Sequence, residues 1–348
     1  MGSKRIDERD TIFARMAYRE GTLQYEDYYG RNPEKKEEDD RLRAMPGMCS
    51  PGTGTYNEVA APFVEAGFSL LENMRSLAEG EVAPDRIEIT PEKSAKKIKA
   101  FIEYLGGKGG MALMKKEFYY SHRGRHPENY GEEVDDSHAY AIAYTVEMER
   151  DMINRAPNFE EVIAVTKGYM DAAVIGLWIA AYIRGLGYNA RAHVDGNYTV
   201  CAPLVAREAG LGELGRHGLL VTEAEGSRVR LGVVTTNLPM EPDERVHAGI
   251  QEFCEDCGVC AKNCPGKAIP KGRKVDRWKT DQEKCYEIWK RVGTDCGICL
   301  SSCPLSQEVY THYRGKLKNQ DARKELLEES KSLYGRRNYI KKRLDIMK

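Results

Sequence analysis

The 348-residue sequence lacks several features that would place it in a broad functional class. Its formal net charge is −1, so the whole molecule has no electrostatic preference for nucleic acid or for an anionic membrane. No hydrophobic run approaches the ~20 residues of a membrane span, because glycine interrupts the longest apolar stretch, near 172–183. The first residues contain neither an apolar signal segment nor a twin-arginine motif, which predicts a cytoplasmic protein.

Cysteine, by contrast, is concentrated in one region. Eight of the ten cysteines lie between residues 254 and 303. They form one C-x2-C-x2-C-x3-C-P run and one C-x10-C-x2-C-x3-C-P run. The x2 spacing brings thiolates together in one tight turn, and the cysteine before proline ligates the other cluster in two-cluster ferredoxins. The spacing therefore predicts two [4Fe–4S] clusters, the first held by Cys254, Cys257, Cys260 and Cys303, and the second by Cys264, Cys285, Cys296 and Cys299.

Zinc and disulfides fit these cysteines less well. Structural zinc sites favour two CxxC pairs, or cysteine mixed with histidine, at other spacings. Clustered cysteine without a signal peptide indicates a reducing interior in which thiolates are kept for metal. Of the remaining two cysteines, Cys49 is predicted to be a spare thiol and Cys201 a small buried hydrophobic residue.

The chain divides into four predicted regions. Residues 1–90 form a charged and helical region whose first fifty residues look irregular, with the acidic and basic run at 34–40 expected to be solvated. Residues 91–250 form an α/β (α+β) core, because helical and strand-like patterns alternate there. Residues 251–305 form the cluster module, and 306–348 form a basic tail with an amphipathic helix near 320–334.

Hydrophobic periodicity predicts the secondary structure of the core. The clearest helix begins at 157–158 and ends at 185–187, with one apolar face. The remaining predicted elements are helices over 57–79 and 92–106 and strands over 139–146, 188–194, 218–222 and 228–236.

Two further motifs are incomplete. Residues 210–215 match G-x-G-x-x-G, but a helical segment precedes them and a strand follows, so dinucleotide binding is disfavoured. The turn is instead predicted to lie close to another flat or phosphate-bearing cofactor. His193 has the H-x-x-G half of a cobalamin-binding motif, but Arg191 replaces the aspartate that would polarise the imidazole. His193 is therefore a weak candidate for an axial ligand.

Tyr169 lies on the apolar face of the clearest helix, where periodicity favours a core tyrosine. A phenol with a pKa of about 10 is a poor acid at neutral pH unless a cation stabilises the phenolate. Arg230 is a candidate cation on a predicted strand, but sequence spacing cannot place it beside Tyr169.

Three stretches resemble the reductive dehalogenases, which are corrinoid enzymes with two [4Fe–4S] clusters. They are 157–190, 196–216 and 230–239, followed by the cysteine runs, and the resemblance covers about 110–305. It implies a nitroreductase-like corrinoid-binding core with a C-terminal two-cluster ferredoxin-like module. Cobalamin would be bound base-off, without a protein ligand on cobalt. The related epoxyqueuosine reductases share this core.

The resemblance also implies residue roles. Tyr169 occupies the position of the proton donor, Arg230 that of the basic residue beside it, and Asn197 a polar active-site position. The glycine turn would lie against the corrin or its nucleotide tail. The implied cofactor contacts are Tyr120, His122, His193, Gly210, Leu211, Gly212, Gly215 and Arg216. The substrate would be a small organohalide, and a soluble ferredoxin or flavodoxin would supply electrons.

Three functions follow as hypotheses. The first is a cytoplasmic corrinoid-dependent reductive dehalogenase. The second is epoxyqueuosine reductase, or another corrinoid reductase acting on a non-halogenated substrate, with Asp195 near the position of that family's acidic proton donor. Only this second reading would bring a nucleic acid partner. The third is a non-catalytic electron-transfer or corrinoid-delivery protein.

Overall fold

The computed structural model of the protein describes residues 5–274 and 278–347. Its main sheet has four antiparallel strands in the order β1-β2-β6-β3, and β4 pairs with β5 in a separate hairpin. The strands are β1 (Gly107–Leu113), β2 (Tyr140–Glu147), β3 (Ala190–His193), β4 (Glu213–Leu214), β5 (Leu220–Val221) and β6 (Val229–Thr236). The mixture of this sheet with helices confirms the predicted α/β (α+β) class.

Helices surround the sheet and form most of the C-terminal region. In chain order they are α1 (Ile12–Ala17), α2 (Leu23–Arg31), α3 (Pro33–Ala44), α4 (Ala61–Met74), α5 (Pro91–Tyr104), α6 (Arg150–Ile153), α7 (Phe159–Gly185), α8 (Ala202–Glu208), α9 (Ile250–Cys257), α10 (Val259–Asn263), α11 (Gln282–Val292), α12 (Ile298–Ser302) and α13 (Gln320–Tyr334). The helices predicted within 57–79, 92–106, 157–187 and 320–334 are confirmed by α4, α5, α7 and α13.

Helix α7 is the central element of the core. Its inner face packs on β2 and β6 through Ile179 and Ile183. The Tyr144 hydroxyl from β2 donates to the Ala172 carbonyl at 2.6 Å. Gly176 permits this approach, because a Cβ there would lie 2.4 Å from that hydroxyl. The helix is fixed to the sheet by direct ring-to-backbone contact.

By length and composition, α7 is also apolar enough to cross a membrane. The sequence-based expectation of no such run was wrong, because glycines do not interrupt this helix. The most apolar window is 56% buried inside the protein, and core helices of soluble proteins meet the same criterion. Packing on the sheet therefore accounts for its composition.

Strand β1 was not predicted. Three of its seven residues are glycine, which is depleted in strands, so its propensity points away from a strand. Packing requires these glycines. A Cβ on Gly109 would lie 2.6 Å from Ile102 of α5, and a Cβ on Gly110 would lie 2.1 Å from the Ala209 carbonyl oxygen. Tertiary contacts on both faces override the local preference.

The first fifty residues are helical rather than irregular, since α1, α2 and α3 lie there. Within the charge run at 34–40, Asp39 is fully buried, which corrects the expectation of a solvated face. Arg15 Nη2 donates to Asp39 at 3.1 Å, and the Tyr29 hydroxyl donates to Asp39 at 2.8 Å. Arg15 also pairs with Glu283 of α11 at 2.9 Å, so a buried ion network joins this region to the cluster module.

We expect Asp39→Asn to lower the free energy of unfolding by about 3 kcal/mol, because it leaves the buried Arg15 charge with one partner fewer. Asp171→Asn is the matched control, since it removes one carboxylate from the exposed Lys167–Asp171 pair on α7. That pair contributes at most about 0.5 kcal/mol. Guanidinium unfolding of both variants measures the difference, and equal losses would contradict the buried network.

Candidate active site and cluster-binding residues

The two cysteine runs adopt similar local structures. Residues 257–260 and 296–299 each pass through a glycine with a positive φ, +63° at Gly258 and +57° at Gly297. These glycines begin the short helices α10 and α12. A left-handed residue reverses the chain at once, so the cysteines on either side of each turn are brought together. This is the local structure that the x2 spacing predicts.

The thiols of the two predicted quartets influence one another electrostatically. Burial raises the pKa of Cys254, and Cys303, Cys257 and Cys260 raise it further. Burial likewise raises the pKa of Cys299, with further increases from Cys296, Cys285 and Cys264 and from Cys260 of the other quartet. Cys303 is thus close to the first run and Cys264 to the second. This proximity is required for crossed ligation, in which the last cysteine of each run ligates the cluster of the other run. The assignment of ligands to clusters stays a prediction.

These thiols are suited to metal ligation rather than to thiol chemistry. Burial raises the pKa of Cys257 and of Cys296 to about 12, whereas reactive cysteines need a lowered pKa. No disulfide joins any cysteine, and all ten lie in the described parts of the chain. A bound metal holds such thiols deprotonated in spite of burial. The donor set therefore fits iron–sulfur clusters.

The second quartet lies beside the candidate catalytic tyrosine. Cys299 belongs to the same apolar cluster as Val165, Tyr169 and Met148. An electron carrier held by this quartet would therefore be the one adjacent to Tyr169.

Tyr169 and Arg230 meet where α7 crosses β6. The guanidinium carbon of Arg230 lies 4.2 Å from the centroid of the Tyr169 ring. Gly168 permits this approach, because a Cβ there would lie 3.1 Å from the Cβ of Arg230. Phe68 of α4 covers the tyrosine from another side, with ring centroids 6.0 Å apart. The structure thus brings together two residues that sequence spacing could not connect.

The environment keeps Tyr169 protonated and Arg230 charged. Burial raises the pKa of Tyr169. The charge of Arg230 lowers this pKa, and the charge of Asp195 raises it, so that the net shift is upward. Burial acts to lower the pKa of Arg230, but Tyr169 and Asp295 more than offset it. The buried Nε of Arg230 and the Tyr169 hydroxyl have no hydrogen-bond partner among the described residues. A phenol poised to give up a proton beside a fixed cation can act as a general acid.

The site contains residues that sequence reasoning did not select. The Tyr198 ring stacks on His193 with ring centroids 6.5 Å apart, and burial and then Tyr169 raise its pKa well above the usual value. Arg125 is close enough to lower the pKa of Tyr169. Neither residue belongs to a motif, so only the fold could reveal them.

A buried carboxyl pair lies between the site and the second quartet. Burial raises the pKa of Glu161 well above its usual value, and Asp295 raises it further. Neither oxygen of Glu161 has a hydrogen-bond partner in the described chain, and Asp295 Oδ1 is likewise buried without one. Gly297 accommodates the pair, because a Cβ there would lie 2.1 Å from Glu161 Oε1.

Asn197 has a structural role in this conformation. Its side-chain oxygen accepts hydrogen bonds from Arg191 at 2.8 Å and from Arg123 at 3.0 Å. Its amide nitrogen lies 3.5 Å from the Arg75 carbonyl oxygen. The side chain is therefore held by hydrogen bonds within the protein, and its place in the active site stays a prediction.

His193 is closed to metal by its own hydrogen bonds. Its Nδ1 accepts from the Thr199 backbone N–H at 3.2 Å, and its Nε2 is 3.1 Å from the Thr235 hydroxyl. Burial lowers the pKa of His193 well below its usual value, and nearby Arg191 lowers it further. The ring is neutral and has no nitrogen left for cobalt, in keeping with the weak sequence motif.

The same contacts make folding sensitive to acid. Unfolded His193 takes up a proton below about pH 6.5 whereas the folded residue does not, so stability falls as the pH is lowered. Between pH 6.5 and 5.5, we expect the free energy of unfolding of His193→Asn to fall by about 1 kcal/mol less than that of the wild type. Unfolding free energies at the two pH values test this, with exposed His312→Asn as the control. An unchanged pH dependence in His193→Asn would contradict it.

Tyr120 and His122 lie on the segment next to Thr199. The Tyr120 backbone N–H donates to the Thr199 carbonyl at 2.9 Å, and burial raises the pKa of its phenol. His122 Nδ1 lies 3.3 Å from Asp7, at the surface of the N-terminal region. Their contact with a cofactor stays a prediction.

The glycine turn at 210–215 does not form an open cradle. A Cβ on Gly210 would lie 2.4 Å from the Glu244 carbonyl oxygen, and one on Gly212 would lie 2.2 Å from the Val221 carbonyl oxygen. A Cβ on Gly215 would lie 2.8 Å from Val221 Cγ2, and Leu211 is buried in the core. Close packing within the protein accounts for the glycines, and a contact of their backbone with a cofactor stays a prediction.

Arg216 contacts the cluster module, and its predicted contact with a corrinoid is untested. Its guanidinium donates to the Cys254 carbonyl at 2.7 Å and to the Pro270 carbonyl at 3.0 Å, and it covers the Trp278 ring at 4.8 Å. It therefore braces the loops around the first quartet.

The comparisons with known proteins agree with this arrangement. Residues 253–317 match the 4Fe-4S dicluster domain family. The tetrachloroethene reductive dehalogenase of Sulfurospirillum multivorans is 34% identical over 164 residues, covering 44% of this chain and 32% of that protein. The epoxyqueuosine reductase of Lactococcus garvieae is 42% identical over 82 residues, covering 24% of this chain and 22% of that protein.

The fold has a close counterpart among solved structures. The catabolic reductive dehalogenase NpRdhA, as its K488Q variant, superimposes with a TM-score of 0.77 at 26% identity, covering 96% of this chain and 47% of that one. The chain thus spans about a third of the length of the curated dehalogenase and about half of the solved one. In sequence over part of its length and in fold over nearly all of it, the chain is similar to the reductive dehalogenases, and its cysteine-rich region matches the 4Fe-4S dicluster domain family.

Proposed function

We propose that this chain is the catalytic part of a corrinoid-dependent reductive dehalogenase that acts on a small organohalide. The observation that carries the proposal is the Tyr169–Arg230 pair, with the guanidinium carbon 4.2 Å from the ring centroid, in which Tyr169 packs on the same apolar cluster as Cys299 of the second quartet. It joins a proton donor, a compensating cation and an electron supply in one place. The dehalogenase relatives give the substrate class.

The chemistry divides between cofactor and protein. A bound corrinoid supplies low-potential cobalt for cleaving the carbon–halogen bond, fed with single electrons by two [4Fe–4S] clusters. Tyr169 gives its phenolic proton to the substrate carbon. Arg230 stabilises the phenolate that remains, and this attraction is stronger in a site from which water is excluded.

The residues around Tyr169 fit a corrinoid bound without a protein ligand. Tyr169 and Tyr198 are partly buried rather than sealed inside the core, and neither hydroxyl has a hydrogen-bond partner in the described chain. Both therefore face space that a cofactor and substrate can occupy. His193 is committed to Thr199 and Thr235, which suits base-off binding.

Anaerobic reconstitution with iron, sulfide and hydroxocobalamin, followed by EPR, tests the proposal. We expect a Co(II) signal without nitrogen superhyperfine splitting, together with two reducible [4Fe–4S] signals. Conversion of tetrachloroethene or a bromophenol should follow. Clusters without bound cobalamin would overturn the proposal and leave an electron-transfer protein. A nitrogen-split signal would show a nitrogen ligand on cobalt, either a histidine or the benzimidazole of the cofactor itself, and would overturn base-off binding without a protein ligand.

The position of Asp195 supports a second candidate function. It acts electrostatically on Tyr169 and Tyr198, so a carboxylate lies within the same site. A carboxyl proton donor is what an epoxyqueuosine reductase would use there. Loss of turnover of an epoxyqueuosine-modified tRNA stem loop in Asp195→Asn, but not in Tyr169→Phe, would favour this candidate.

Arg230 gives a graded prediction for the dehalogenase. Arg230→Gln removes the cation that lowers the pKa of Tyr169, so the phenol becomes a weaker acid. We expect single-turnover dehalogenation to fall at least about tenfold, with Arg230→Lys retaining more activity because it keeps the charge. Iron and cobalamin contents serve as the control for intact loading. Equal rates for Gln and Lys variants would show that the charge is unimportant.

A further inference from the structure

A cavity of about 370 Å³ lies against the first cysteine quartet. One wall contains Cys257 together with Ser302 and Pro304, the two residues that flank Cys303. The opposite wall is α13 and the segment 335–338 that follows it. Cys257 is partly exposed whereas Cys260 and Cys303 are buried, so the first quartet approaches the surface on this side.

The rim of this cavity is positively charged. Lys262, Lys331 and Arg336 are exposed, and none forms an ion pair with any residue of 5–274 or 278–347. The acid on the rim, Asp256, is neutralised by Arg323 at 2.7 Å. The three cations are therefore free to attract an acidic partner.

The floor of the cavity has unused hydrogen-bonding groups. The Ser302 and Ser330 side chains are more than nine-tenths buried and line the cavity. Neither hydroxyl has a hydrogen-bond partner in the described residues. Leaving a buried polar group unpaired is unfavourable, so a polar side chain entering the cavity would be stabilised there.

The positions of the two quartets indicate the direction in which electrons pass through the module. Cys299 of the second quartet and Tyr169 pack on one apolar cluster, so the second quartet is on the Tyr169 side of the module and electrons leave it there. Electrons must then enter through the first quartet, and Cys257 on the cavity wall is the ligand placed to receive them.

We propose that this cationic cavity is the docking site for an acidic one-electron carrier protein of the ferredoxin type. The proposal rests on the proposed function only in requiring that the module feeds the Tyr169 site. An acidic side chain of the carrier enters the cavity between Lys262, Lys331 and Arg336. Each encounter oxidises the carrier by one electron and reduces the first cluster by one, with no bond or proton exchanged.

The test compares two variants with the same change in charge. Lys262→Glu, Lys331→Glu and Arg336→Glu are combined in one variant. The matched control combines Lys93→Glu, Lys96→Glu and Lys97→Glu, all exposed on α5 beside the edge strand of the sheet. Cluster bleaching in the reconstituted protein is followed by stopped flow with reduced plant-type ferredoxin and, separately, with reduced methyl viologen, a small cation.

We expect the cavity variant to react with ferredoxin at least about tenfold more slowly than the α5 variant at low ionic strength. This difference should shrink in about 0.5 M salt. Methyl viologen should reduce both variants at least as fast as wild type.

Equal ferredoxin rates in the two variants would overturn the proposal. So would equal slowing with both reductants, because the residues would then act on the cluster itself. Calorimetric binding of inorganic phosphate with unchanged ferredoxin rates would make the cavity a small-anion site instead. Bleaching needs neither corrinoid nor organohalide, so absence of dehalogenation would leave the result standing.

Discussion

Tyr169→Phe should reduce dehalogenation by at least about 100-fold while clusters and corrinoid remain bound, because general acid catalysis typically contributes that much. The substitution removes only the hydroxyl. The ring that packs on Phe68 and beneath Arg230 is kept, so the packing around the site should be unchanged. Single-turnover formation of the dehalogenated product, with iron and cobalt contents measured on the same sample, provides the test.

Tyr182→Phe is the matched control for this experiment. Tyr182 lies on the same helix but is 38% exposed and outside the site, so loss of its hydroxyl should leave turnover unchanged. Two results would contradict the assignment of Tyr169. Full activity in Tyr169→Phe would remove it from the reaction, and loss of activity in Tyr198→Phe alone would transfer the proton to the neighbouring phenol.

The cluster module was predictable because its information is local. Two cysteines separated by two residues must converge when the chain turns sharply between them, and Gly258 and Gly297 provide that turn. Helix α7 was predictable for a similar reason, since its apolar residues follow one another along one continuous segment of 27 residues.

The catalytic pair was only partly predictable. The family resemblance selected Tyr169 and Arg230, but their contact depends on α7 crossing β6, with Gly168 at the crossing. Such long-range packing leaves no periodic signal in the sequence.

The glycine turn at 210–215 was harder to interpret from the sequence alone. Its letters match a cofactor motif, yet its backbone approaches the carbonyl groups of Glu244 and Val221. A glycine pattern indicates that other atoms lie close to the backbone, but it does not distinguish the atoms of a ligand from those of the protein itself.

The second prediction with a large expected effect concerns crossed ligation, in which the last cysteine of each run ligates the cluster of the other run. Cys303→Ala should remove the cluster whose other ligands lie in the first run, and Cys264→Ala should remove the one whose other ligands lie in the second run. Each variant should fall from about eight to about four iron atoms per chain. Cys49→Ala should keep all the iron, because Cys49 lies in a separate apolar cluster with Ala60 and Val64.

Thiol alkylation after anaerobic reconstitution identifies which ligands each substitution releases. A ligand freed from its cluster is a buried thiol with a raised pKa, which iodoacetamide modifies slowly at alkaline pH, whereas a cluster-bound thiolate is protected. In Cys303→Ala, mass spectrometry should find the label on Cys254, Cys257 and Cys260. Labels on Cys285, Cys296 and Cys299 instead would show that each run holds its own cluster. That outcome would contradict the proximity of Cys303 to the first run, where its charge raises the pKa of buried Cys254.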